Sequence, residues 1–211
     1  SRGRSASGGA TLVWNAPRAS ELLLGTASAD PDSSGRAVGR RQADAVRGDV
    51  SAAGRGGDSK LNTGSGNVIA KLQTPRLDVN AVSGRIEAGG GVSGDIGAQT
   101  VSGRVGVDAG RIQRLAVETV SGGIDLSATG LAPGGRINVE SVSASVNLRL
   151  PVKVSAQLSV NSFAGSINSD AGTVERPRYG PGSSLDTKLG GGDGDIRIQS
   201  HSGSVRVSLD R

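Results

Sequence analysis

Hydrophobic and polar residues alternate along most of this chain, and the alternating blocks recur at a nearly constant interval. Six segments share one frame: apolar, any, apolar, polar, Ser/Thr/Ala, variable, small, Gly/Ala, any, Ile/Val. They are residues 77–86 (LDVNAVSGRI), 96–105 (IGAQTVSGRV), 115–124 (LAVETVSGGI), 137–146 (INVESVSASV), 158–167 (LSVNSFAGSI) and 196–205 (IRIQSHSGSV). The Gly/Ala position falls at Gly84, Gly103, Gly122, Ala144, Gly165 and Gly203. The steps are 19, 19, 22, 21 and 38 residues, the last equal to two periods of 19. Towards the N-terminus, Gly66-Asn67-Val68 and Gly48-Asp49-Val50 lie 18 and 36 residues before Gly84.

Side-chain alternation gives the repeat its physics. Residues 115, 117 and 119 face one side of a strand, and Ile124 and Leu126 resume the inward set beyond a Ser-Gly corner. Each period is thus two or more short strands joined by corners, with the glycine where a Cβ would clash. One period buries about five aliphatic side chains at roughly 1.5–3 kcal/mol each. Ordering its backbone costs roughly 1–2 kcal/mol per residue, so a lone period cannot stand. Stacking periods about 4.8 Å apart pairs each backbone with its neighbours. The pattern predicts an all-β, single-stranded β-solenoid (β-helix) of about eight coils, period 18–22, over residues 46–211.

Stacking turns frame positions into columns. Asn80, Gln99, Glu118, Glu140, Asn161 and Gln199 make a polar column, either an amide ladder or a ligand-binding face. Ser83, Ser102, Ser121, Ser143, Ala164 and Ser202 make a column of small residues suited to a tight corner. Two regions break the rhythm. Residues 173–192, with Pro177, Pro181 and Gly190-Gly191-Gly192, read as a long loop replacing part of a coil. Residues 1–45 read as a leader and strand segment, an inter-subunit donor or an N-terminal cap. Within it Thr11-Leu12-Val13-Trp14 is a short strand. Residues 20–24 are a helical turn capped by Ser20, or a strand. Residues 30–35 (DPDSSG) form a loop.

Composition narrows the function classes. Glycine supplies 35 residues and the aromatics three: Trp14, Phe163 and Tyr179. Cys and Met are absent, which removes disulfides and thiol chemistry. The 24 basic and 19 acidic residues are dispersed, so nucleic acid is not an expected partner. No apolar run reaches the roughly 18 residues of a membrane span. The lack of both sulfur residues, with abundant Gly, Ser, Asn and Thr, is compatible with an extracellular or bacterial cell-envelope location.

At this point the sequence resembles a bacterial family of β-strand-repeat proteins, labelled adhesins, whose function is undefined. The resemblance rests on Val92-Ser93-Gly94-Asp95-Ile96, Val101-Ser102-Gly103-Arg104-Val105 and Val120-Ser121-Gly122-Gly123-Ile124. It extends from Tyr179-Gly180-Pro181-Gly182 through Gly190-Gly191-Gly192 to Ser202-Gly203-Ser204-Val205, and covers about residues 65–211. It implies a secreted or envelope-associated β-solenoid and no catalytic residues.

Candidate chemistry is thin. Arg47-Gly48-Asp49 spells an integrin-type tripeptide, but it fills the Gly-any-Val slot of an early coil. Gly190-Gly191-Gly192-Asp193-Gly194-Asp195-Ile196 resembles one out-of-register calcium nonapeptide. Asp193/Asp195 or Asp108/Asp125 are the carboxylate pairs a polysaccharide-cleaving β-helix would need. The lone histidine, His201, occupies the variable slot held elsewhere by Val82, Val101, Val120, Val142 and Phe163. No catalytic residue, metal or cofactor is expected. The sharper expectation concerns the ends: residues 204–211 alternate to the last position and offer an open final strand. A second copy could add Thr11, Leu12, Val13 and Trp14 against Val205, Val207 and Leu209, giving head-to-tail fibres of a structural protein. The alternative is a monomeric adhesin-like module binding surface glycan or protein. A polysaccharide-active enzyme is the third reading.

Overall fold

The computed structural model describes residues 11–13, 22–26, 30–34, 41–47, 50–55, 58–176 and 181–210, with side chains from residue 58 onward. Every element is a strand: β1 (Thr11–Val13), β2 (Leu22–Thr26), β3 (Asp30–Ser34), β4 (Arg41–Arg47), β5 (Val50–Arg55), β6 (Ser59–Ser65), β7 (Val68–Gln73) and β8 (Arg76–Ser83). Then come β9 (Ile86–Pro151), β10 (Ala156–Ser162), β11 (Ile167–Ser169), β12 (Ser183–Leu189), β13 (Gly194–Ser202) and β14 (Val205–Asp210). They join in one fourteen-stranded sheet, without a helix among the described residues.

Parallel pairs one period apart generate this sheet. Leu22 lies opposite Arg41, Arg41 opposite Ser59, Ser59 opposite Leu77, and Leu77 opposite Ile96. A second ladder sets Thr11 opposite Asp30, Asp32 opposite Ser51, Val50 opposite Val68, and Val68 opposite Ile86. The chain crosses from one ladder to the other at each corner, and the inward residues of both meet in a single aliphatic core. Leu77 and Val79 from one side face that core with Ile86 and Ala88 from the other, and all four are buried. The corners explain the repeated glycine. Gly103 and Gly122 have φ of +144° and +129°, and a Cβ at either would meet the carbonyl oxygen of the glycine one period earlier at 1.7 Å.

The sheet departs from the sequence expectation at its end. β13 pairs in parallel with β9 on one side, Ile196 opposite Ile137, and with β10 on the other, Ile196 opposite Leu158. The last layer in sequence is therefore inserted between two earlier ones. Glycine contacts repeat this order: a Cβ on Gly203 would meet the Ala144 carbonyl, and one on Gly165 would meet that of Gly203. The step of 38 residues is a return, not two further coils.

Three expectations are corrected. Val205 and Val207 are not on an open strand: β14 pairs with residues 146–151 of β9 and with β11. Leu209 pairs with Leu150, and its N–H reaches Asp170 Oδ2 at 3.4 Å. The segment 173–192 is not simply a loop, because β12 pairs antiparallel along the whole of β10 and makes the sheet mixed. Residues 30–34, expected as loop, form β3, and residues 22–26 resolve the helix-or-strand choice as strand. Thr11, Leu12 and Val13 pair within their own chain, with β3, while Trp14, Tyr179 and the leader 1–10 lie outside the described residues.

Candidate functional site: an axial groove

Three successive frame positions build a groove that runs along the stack, across the strands. The first row is the polar column, now extended by the structure: Asn62, Asn80, Gln99, Glu118, Glu140, Gln199, Asn161 and Ser184. Residues two positions further along each strand form the opposite wall, because both positions point outward from the sheet. This wall is Val82, Val101, Val120, Val142, His201 and Phe163, and its valines and phenylalanine are 49–58% exposed. Between the walls lies a floor whose side chains turn into the core: Thr63, Thr100, Thr119, Ser141, Ser200 and Ser162 are buried, with Ala81 and Ser183 completing it.

The floor is polar for a local reason. Thr119 Oγ1 donates to the Ser121 carbonyl at 3.2 Å, and Thr100 Oγ1 to that of Ser102 at 3.4 Å. The hydroxyls thereby satisfy the bend just before the glycine corner, and Ser141 Oγ meets Ser200 Oγ across two layers at 3.2 Å. Along the polar wall, Asn80 Nδ2 donates to Asn62 Oδ1 at 2.9 Å, as an amide ladder requires. Gln99 Nε2 donates to Glu118 Oε2 at 3.3 Å, and Asn138 Nδ2 to Glu140 Oε1 at 3.0 Å. On the apolar wall, His201 stacks on Phe163 with centroids 5.1 Å apart and rings 7° from parallel. The open groove encloses about 1570 Å³.

The other candidates do not come together. Ser155 Oγ donates to Asp193 Oδ2 at 3.2 Å and receives the Asp193 N–H, so this carboxylate closes its own turn. Asp195 pairs with Arg197 at 3.3 Å. Asp125 accepts from Asn147 Nδ2 at 2.8 Å, with Arg104 at 4.0 Å. Asp108 stands twelve residues past Ile96 whereas Asp125 stands ten past Leu115, so the two occupy different rows. Among the described residues no three His, Cys, Asp or Glu side chains cluster as a metal site. Arg47 ends β4, and Gly48 and Asp49 lie outside the described residues. Sequence reasoning had found both walls, one as a polar column and one as a variable slot. It had not joined them into one groove, although their two-residue separation carries that signal.

The family model of Toastrack DUF4097 matches residues 41–208, and the chain belongs to that family. Its matched span takes in the whole groove and every period of the frame. No curated protein and no solved structure matches the chain.

Proposed function

We propose that this Toastrack DUF4097 protein is a single-stranded β-solenoid of about eight coils that acts, without catalysis, as a binding module outside the cytoplasm. Its axial groove seats an extended segment of a partner polypeptide. The observation that carries this reading is the continuous row of half-exposed Val82, Val101, Val120 and Val142 facing a polar row across a shared floor. Single exposed aliphatics are ordinary on a surface, whereas a contiguous apolar stripe rimmed by polar groups marks an interaction site.

Dimensions favour a strand-like occupant. Eight layers at ~4.8 Å span about 34 Å. An extended chain of about ten residues at ~3.4 Å each matches that length. Chemistry favours peptide over glycan: the wall is mostly aliphatic, with Phe163 and its stacked neighbour His201 as its only rings. Cleavage of a polysaccharide would need carboxylates on both sides of the bond. Here Glu118 and Glu140 share one wall and face valines. Head-to-tail assembly through Val205 and Val207 is the weaker reading, since both residues are already paired on two sides.

The test is calorimetric titration with a peptide of about ten residues alternating Val and N-acetyllysine, long enough to fill the groove. The wild-type protein binds it, and Val101→Ser/Val120→Ser weakens binding about tenfold or more while changing stability by no more than about 1 kcal/mol. Equal binding by the variant, or binding of linear glycans in place of the peptide, contradicts the reading.

A further inference from the structure

The groove carries charge of one sign. Glu118 and Glu140 stand in consecutive repeats of the polar wall, and no lysine or arginine is among the groove-lining residues. The molecule as a whole has formal charge +5. Both carboxylates are exposed, and among the described residues neither has a cationic partner: each takes only an amide donor, Gln99 or Asn138. A ladder serving only to stack would gain from amides at every layer, as Asn80 and Asn62 show. Like charges in adjacent rungs are unfavourable instead. The two glutamates thus present neighbouring negative charges that a cation in the groove would neutralise.

Resting on the groove reading above, we infer that the occupant is a basic segment of a partner protein, with aliphatic residues alternating with Lys or Arg. In an extended chain, alternate side chains point opposite ways. One set lies on the valine wall, and the other presents ammonium or guanidinium groups to Glu118 and Glu140. Arg is the better fit to a paired carboxylate wall because its planar fork bonds two oxygens at once. Charge complementarity of this kind raises the association rate and selects register more than it adds raw affinity.

The experiment compares the acetylated Val/N-acetyllysine peptide with the otherwise identical Val/Lys peptide, since acetylation removes only the charge. The expected result is that the Val/Lys peptide binds wild-type protein about tenfold more tightly at low salt, and that added salt erases the difference. Glu118→Gln/Glu140→Gln should abolish this advantage, so that the charged and acetylated peptides bind the variant equally well. If both peptides bind wild type equally, or the double variant keeps the preference for lysine, the cation inference is overturned while the groove survives. If neither peptide binds, the groove reading itself is lost. A further overturning result is self-association of the protein alone, by sedimentation, that Glu118→Gln/Glu140→Gln abolishes; the occupant would then be a second copy.

Discussion

A single hydrogen atom decides whether the glycine corners can close. At Gly103 and Gly122 the backbone runs at φ beyond +125°, and the would-be Cβ points into the carbonyl oxygen of the rung before it. Gly130 offers the contrast, with nothing within 4 Å of its would-be Cβ. Gly103→Ala and Gly122→Ala should each cost roughly 2–4 kcal/mol, combining the left-handed backbone with a clash that stacking cannot relieve. Gly130→Ala should stay within about 0.5 kcal/mol. Urea denaturation of the three variants measures this, and equal losses at Gly103 and Gly130 would contradict the corner argument. These corners were legible in the sequence because the same close approach recurs at Gly84, Gly103, Gly122, Gly165 and Gly203 and selects glycine at a nearly regular step. The floor hydroxyls were less so. Thr100 and Thr119 sit at a position that alternation marks as inward, yet their bonds to the carbonyls two residues on depend on a bend no alternation encodes.

Among the elements, β3 and β12 show where local sequence misleads. Asp-Pro-Asp-Ser-Ser has the composition of a turn, yet residues 30–34 lie between β1 and β5 and pair with both. A strand with partners on two sides is held by its neighbours more than by its own preference. β12 hides for a different reason. Its flanking prolines and glycines announce a loop, and it runs against the direction of every other strand, so it lacks the frame. Its burial is nevertheless strand-like, with Ser183, Leu185 and Leu189 inward. Two outcomes follow. Leu185→Ala, at a fully buried position, should destabilise by about 2–5 kcal/mol. The amides of β12 that bond to β10 should be protected from exchange, whereas those of a loop would exchange at once.

For the whole molecule, the order of layers is what sequence could not reveal. A step of 38 residues is arithmetically two periods, and nothing in residues 196–205 says whether they lie beyond residues 158–167 or before them. Only the pairing of Arg197 with Asn138 on one side and Ser159 on the other settles it. The absence of cysteine makes this testable without background. Asn138→Cys/Arg197→Cys and Ser159→Cys/Arg197→Cys should form disulfides on oxidation, because adjacent rungs bring Cα atoms within the bridging range. Asn138→Cys/Ser159→Cys should not, since a full layer separates them. The same insertion pairs Val205 and Val207 on both sides and turns attention from the ends of the stack to its side. There the rungs align a valine row, a hydroxyl floor and an amide-carboxylate row into one channel. The most direct measurement is a map of backbone amide shifts as the Val/Lys peptide is titrated. The account predicts perturbations that recur once per layer, at Val82, Val101, Val120, Val142, His201 and Phe163 with their polar counterparts. Shifts confined to one end, or scattered over the opposite face around Arg104 and Arg206, would contradict it.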